Sequence, residues 1–159
     1  GPLPNAVVWL TAGDPSSVIP PEAPYAMTQQ NREFKPRILV VPQNAKVEFP
    51  NADSIMHHVY SFSKAKTFEL KLYKEHPKAA ITFDQTGVIE LGCNIHDWMI
   101  AYIYVNEGDL VKEVSGSPVM FTGLAAGEYE VRVWNPRFRN TKRIVRQGCY
   151  FFYVEFIFF

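Results

Sequence analysis

The sequence predicts an all-β protein, a Greek-key β-sandwich, and three observations carry that expectation. Aromatic residues make up 14% of the 159 residues, with 12 Phe and 8 Tyr, and such residues favour pleated, half-buried strands. Short apolar or alternating runs recur between turn signals at roughly 8–12-residue intervals, the spacing of a sandwich. No segment sustains a helical period, and 12 prolines punctuate the chain. A hydrophobic content of 47% is enough for a core, and the length suits one domain or one domain plus a fragment.

The elements follow in order. AVVWLT (6–11) is a short buried strand, and the proline-rich stretch 12–24 a surface loop. AMTQQN (26–31) has polar alternation. FKPRILVVP (34–42) is a β-branched run whose Pro36 places its start at a sheet edge. AKVEF (45–49) alternates, IMHHVYSF (55–62) reads as a strand covered on both faces, and KTFELKL (66–72) alternates again. AAITF (79–83) and VIEL (88–91) flank DQTG, which signals a hairpin with Gly87 at the position that tolerates positive φ. MIAYIYV (99–105) is a strongly apolar strand. Beyond it, GLAAGEYEVRVWNP (123–136) reads as a turn and an alternating strand, and RFRNTKRIVR (137–146) as a basic solvated stretch. The closing CYFFYVEFIFF (149–159) is too short for a membrane helix. It reads as a strand that needs cover, beside residues 6–11 or from a second subunit, since a bare edge of this kind aggregates.

Several function classes are disfavoured. The formal net charge is zero and no basic run tracks phosphates, so a nucleic-acid partner is not expected. No apolar run reaches membrane-spanning length. No G-x-S-x-G, HExxH or glycine-rich phosphate loop occurs, and the reading is not that of an enzyme. Two cysteines, Cys93 and Cys149, make no disulfide framework. Cys149 has no histidine or acid neighbour and reads as a buried or adventitious thiol; His76 sits in a polar loop and reads as solvated. Gly1-Pro2 reads as a remnant of tag removal that hides a removed export signal.

What remains is CNIHDWM (93–99). Cys93, His96 and Met99 are three residues apart just after an apolar strand. Cysteine and methionine are also ordinary packing residues, so the triplet needs support from elsewhere. Thiolate and imidazole suit copper or zinc, and a loop of this length is compatible with a His-His-Cys site bearing a weak axial thioether. A thioether is an unusual partner for zinc. The second imidazole must come from a neighbouring strand, and the chain offers two, His57 and His58. Strand alternation puts them on opposite faces, so only one reaches the loop; periodicity does not choose between them.

NADSIMHHV (51–59) followed by C-x-x-H-x-x-M at 93–99 resembles the cupredoxins, the blue copper proteins of amicyanin, pseudoazurin and plastocyanin type. Asn51, Asp53, His57 and Val59 fall where that family has comparable residues around its first copper histidine. FKPRILVVPQNAKVEFPN resembles the segment leading into it. The resemblance covers roughly residues 33–105 and implies a core over 25–106. It implies one copper ion held by His57, Cys93, His96 and Met99, and single-electron carriage between redox partners in the periplasm. It also implies transient docking of those partners near His96, Ile95 and Trp98. Two departures stand out. The family usually has asparagine where this chain has His58. Asp97 and Trp98 place a carboxylate and an indole inside the ligand loop, where Asp97 can hydrogen-bond His96 and Trp98 can shield the metal or form a docking face. Residues 1–12 and 107–159 form an accessory segment. NAVVWLT and GLAAGEYEVRVWNP resemble carboxypeptidase-regulatory-like β-sandwich modules, and the whole is similar to bacterial methylamine-utilisation-type cupredoxins. Other readings of the same residues are a copper trafficking or storage protein and a structural sandwich with a vestigial site. A homo-oligomer through the C-terminal strand is a further expectation.

Overall fold

The structure, a computed structural model, describes residues 4–11, 23–75, 77, 79–107, 110–115, 119–137 and 142–154. His76, most of the 12–24 loop and the final five residues of the C-terminal run lie outside them. No helix occurs among the described residues; fourteen strands do. The chain divides into two compact units, Val18–Glu107 and the pair of segments Gly1–Ser17 and Gly108–Phe159.

In the second of these, β1 (Pro4–Thr11) is an inner strand of a four-stranded sheet. Ala6 to Leu10 are all buried, which is why AVVWL is apolar without alternation. At the other end of the chain lie β12 (Leu110–Ser115), β13 (Val119–Trp134) and β14 (Lys142–Val154), and the sheet order is β12-β1-β13-β14. The C-terminal strand therefore does not lie beside residues 6–11. Its neighbour is β13, paired antiparallel from Val119↔Val154 to Val133↔Lys142, as strands consecutive in sequence pair at lower loop-closure cost. Residues 142–146 of the basic stretch belong to this strand, as does Cys149.

The unit Val18–Glu107 is built from ten strands. They are β2 (Tyr25–Ala26), β3 (Thr28–Gln30), β4 (Glu33–Lys35), β5 (Ile38–Pro42), β6 (Ala45–Glu48), β7 (His57–Ser63), β8 (Lys66–Tyr73), β9 (Ile81–Phe83), β10 (Gly87–Leu91) and β11 (Ala101–Asn106). β10, β11 and β5 form one sheet, with β5 parallel to β11 and at the edge, as Pro36 implies. β2, β6 and β9 form another; β3 with β4, and β7 with β8, make two-stranded pairs. The run 34–42 is thus two strands, separated by a bend at 36–37. The expected hairpin across DQTG is not one. β9 pairs with β6 and β10 with β11, so the turn carries the chain from one sheet to another. Gln43 Nε2 donates to Asp84 O at 2.8 Å and the Asn44 amide to Phe83 O at 2.8 Å, fixing the start of that crossing. Gly87, at φ 133°, supplies the backbone conformation at its end.

Strand alternation sorts the core. Ala45 and Val47 of β6, Ala101, Ile103 and Val105 of β11, and Ile89 and Leu91 of β10 all turn inward. They pack with Met27, Phe49, Val59 and Phe83 into one cluster that also contains Cys93 and Met99. Each large apolar side chain so buried contributes about 1.5–3 kcal/mol. Cys93 and Met99 thus belong to the wall of the sandwich, fixed by the same packing that holds the sheets together.

Candidate metal centre

β7 carries two consecutive histidines into different surroundings. His57 is 0% exposed; its Nε2 lies 2.8 Å from Asp53 Oδ2, and its Nδ1 is buried with no hydrogen-bond partner. His58 is also buried, with Nε2 2.8 Å from Glu69 Oε1 and no partner for Nδ1. The register of β7 against β8 shifts between His57 and Val59. His57 is the one of the two that meets the ligand loop: a ring nitrogen of His57, Cys93 Sγ and a ring nitrogen of His96 all lie within 4.8 Å of one another.

The loop is shaped by its own backbone. The His96 amide donates to Cys93 O at 3.3 Å and the Met99 amide to His96 O at 2.9 Å. Two successive turns of this size return the chain to one side every third residue, and the sequence spacing of Cys93, His96 and Met99 takes its meaning from that. Cys93 Sγ is 3.8 Å from His96 Nδ1, and the His57 and His96 rings are 5.1 Å apart between centroids. Met99 is buried and lines, with Cys93 and Asp97, a cavity of about 400 Å³ whose outer walls include Tyr60 and Phe62. Asp97 contributes to that wall. Just before Cys93, Gly92 exchanges two backbone hydrogen bonds of 3.0 Å with Tyr60, tying the loop to β7. A Cβ on Gly92 would come within 2.6 Å of the Tyr60 ring, so glycine is needed for this close approach.

The loop before β7 is equally fixed. Asn51 Nδ2 donates to Ile55 O at 2.8 Å and to Tyr73 O at 3.1 Å, while its Oδ1 accepts the Asp53 amide at 2.9 Å. Asp53 in turn accepts from the Asn31 and Arg32 amides at 2.7 and 2.9 Å. Burial alone would raise the Asp53 carboxyl; hydrogen bonds from the Arg32 amide, His57 and the Asn31 amide outweigh it and hold the group below the usual carboxylate range. His96 is lowered from its ordinary value, first by desolvation and then by the charges of His57 and Arg32, which favours the neutral imidazole a metal requires.

These features fit a metal ion. A carboxylate on Nε2 fixes the proton there and leaves the Nδ1 lone pair of His57 facing inward, the orientation that metal-bound histidines receive from their supporting groups. A buried nitrogen with no partner is otherwise costly, by about 1–3 kcal/mol. Two imidazoles and a thiol form a donor set suited to copper or zinc. Of the residues expected at the site, the structure brings His57, Cys93 and His96 together, sets Met99 in the same loop and core, and turns His58 to Glu69. Sequence reasoning did not foresee the support given by the Asn31–Arg32 turn and Gly92. An asparagine between two short strands and a glycine before a candidate ligand were the available signals.

Among solved structures, the chain is similar to the copper-containing nitrite reductase NirK from Thermus scotoductus SA-01. The TM-score is 0.51 at 24% identity, over 59% of this chain and 25% of that one. The chain has a cupredoxin fold. It spans about a quarter of the nitrite reductase, and the likeness concerns fold alone. Also similar are the reduced form of an amicyanin mutant, at 16% identity over 61% of this chain and 98% of that one with a TM-score of 0.49, and a purple cupredoxin from Nitrosopumilus maritimus, at 19% identity over 52% and 99% with a TM-score of 0.46. No family model and no curated protein matches the chain.

Proposed function

We propose that the cupredoxin-fold unit binds one copper ion through His57, Cys93, His96 and Met99 and carries single electrons between redox partners, in the periplasm. The observation that carries this reading is the convergence of His57, Cys93 and His96, one donor atom of each within 4.8 Å of the others, at a buried histidine whose Nδ1 has no hydrogen-bond partner. Copper, when bound, supplies a one-electron couple. The chain's own residues supply the rest. His57, Cys93 and Met99 are buried, so the core excludes water from that side and holds the donors where they are in either oxidation state. His96 alone of the four reaches the surface.

Ile95 and Trp98 flank it in the loop, both large, apolar and exposed, with Trp98 at 66%; Ile55, Met56 and Ile100 are exposed as well. Trp98 both covers and presents His96, its ring 5.2 Å away between centroids. Exposed apolar side chains beside one accessible ligand suit a small, short-lived redox contact, of a kind that buries less than about 1,200 Å². Periplasmic placement rests on the family resemblance.

The test is metal analysis with a visible spectrum and voltammetry of the copper-loaded protein. Near-stoichiometric copper, an intense band lost in Cys93→Ala and a reversible couple are expected. A colourless copper complex, or rapid loss of copper to a chelator without a reversible couple, would overturn it.

A further inference from the structure

The turn between β3 and β4 consists of Asn31 and Arg32, at φ 58° and 59°. Two successive left-handed residues with neither a glycine are unusual, although a two-residue hairpin turn demands that conformation. What holds them is visible. Both amides donate to the Asp53 carboxylate, at 2.7 and 2.9 Å, and Oδ2, which takes the Arg32 amide, is also 2.8 Å from His57 Nε2. The carbonyl of Arg32 accepts the Trp98 indole N–H at 3.2 Å, and the Trp98 ring lies 5.2 Å from that of His96. One peptide segment therefore reaches both imidazoles: through Asp53 to His57, and through Trp98 to His96. Asp53 and Trp98 stand 45 residues apart in the chain, and each is hydrogen-bonded to the backbone of this turn.

We infer that the Asn31–Arg32 turn is a two-armed clamp that makes the positions of His57 and His96 depend on each other, with Asp53 and Trp98 as positioning residues. The inference rests on the copper reading for its consequence, and on the metal-free protein for its test. The backbone of Arg32 is the shared element, since its N–H serves one arm and its C=O the other. Loosening either arm frees the turn and so disturbs the imidazole at the far end. A bound ion would then meet two histidines that move together or not at all, a source of rigidity that no ligand supplies by itself.

The test is NMR on the metal-free full chain. Asp53→Asn leaves one acceptor oxygen for the three donors of Asn31, Arg32 and His57. In this variant the Trp98 indole N–H signal should shift and exchange with water several-fold faster. Conversely, Trp98→Phe, which keeps a ring over His96 but removes the N–H, should shift the His57 Nε2 signal; it serves if Asp53→Asn does not fold. Arg32→Gly preserves both backbone groups and should leave the indole signal protected. On copper loading, the shifts in reduction potential of Asp53→Asn and Trp98→Phe should sum to more than the double variant shows. An unmoved signal at the far end of the clamp, an Arg32→Gly spectrum that copies Asp53→Asn, or strictly additive potentials would each overturn the inference. A protein that takes up no copper would sink the copper reading instead, while the metal-free spectra still decide the clamp.

Discussion

Asn51 offers the sharpest test of how the loop before β7 is held. Its side chain is nearly buried, at 6% exposure, and makes three hydrogen bonds: to Ile55 O at 2.8 Å, to Tyr73 O at 3.1 Å, and from the Asp53 amide at 2.9 Å. Asn51→Ala removes all three and leaves two carbonyls and one amide to find other partners. At about 0.5–1.5 kcal/mol for each net bond the loss is about 3 kcal/mol, and it exceeds that if water cannot reach the orphaned groups. Asn51→Asp is the informative companion. It keeps an acceptor for the Asp53 amide but faces two carbonyl oxygens with a carboxylate, so at neutral pH it should cost more than alanine despite its closer shape. Urea unfolding followed by NMR signals of Val59 and Leu70, a cross-strand pair of β7 and β8, reads this unit by itself. A loss below about 1 kcal/mol for alanine, or an aspartate variant more stable than the alanine one, would refute the reasoning. Copper affinity should fall about 10–100-fold in parallel, because Asp53 and with it His57 would lose their anchor.

Other outcomes follow from the same geometry. His57→Ala should abolish the visible copper band while His58→Ala keeps it, because His58 is turned to Glu69; the spectra of the two loaded variants decide this. Tyr73 is held above its ordinary 10.0, chiefly by burial and then by the nearby Cys93 charge, against a lowering hydrogen bond with Gln29. The unfolded phenol therefore ionises first, and its contribution to stability, intact below pH about 10, is lost as pH rises beyond that. Tyr73→Phe should flatten this alkaline decline in urea titrations while lowering neutral stability by about 1–3 kcal/mol, since the hydroxyl donates to Phe49 O at 2.7 Å. Gly92→Val should displace the Tyr60 ring, destabilise the unit by about 1–3 kcal/mol and shift the copper band, as read by calorimetry and absorption.

Much of this was legible in the sequence, and the limits have physical causes. The alternation in AKVEF marked the inward face of β6 because side-chain direction has period two in any strand. The Cys93, His96 and Met99 spacing pointed to one loop because three-residue turns bring those positions to one side. DQTG misled: its turn chemistry was correct, but turn residues specify a reversal and not which strand each arm will pair with, and pairing was decided by the burial of Phe83 and Ile89 in separate sheets. The neighbour of β14 is the strand that precedes it, β13, a choice that its own apolar run does not encode. Alternation placed His57 and His58 on opposite faces but left open which faced the loop, since that depends on the register against β8 and on Asp53, fixed by an amide pair more than twenty positions earlier.

The central claim is that one ion is held by two imidazoles and a thiolate from distant parts of the chain. X-ray absorption at the copper edge, on the loaded wild type and on His57→Ala and Cys93→Ser, tests it most directly. The account predicts a first shell of one short sulfur and two imidazole nitrogens in the wild type, with one nitrogen lost in the first variant and the sulfur lost in the second. A shell of oxygen and nitrogen alone, or one unchanged by either substitution, would contradict it.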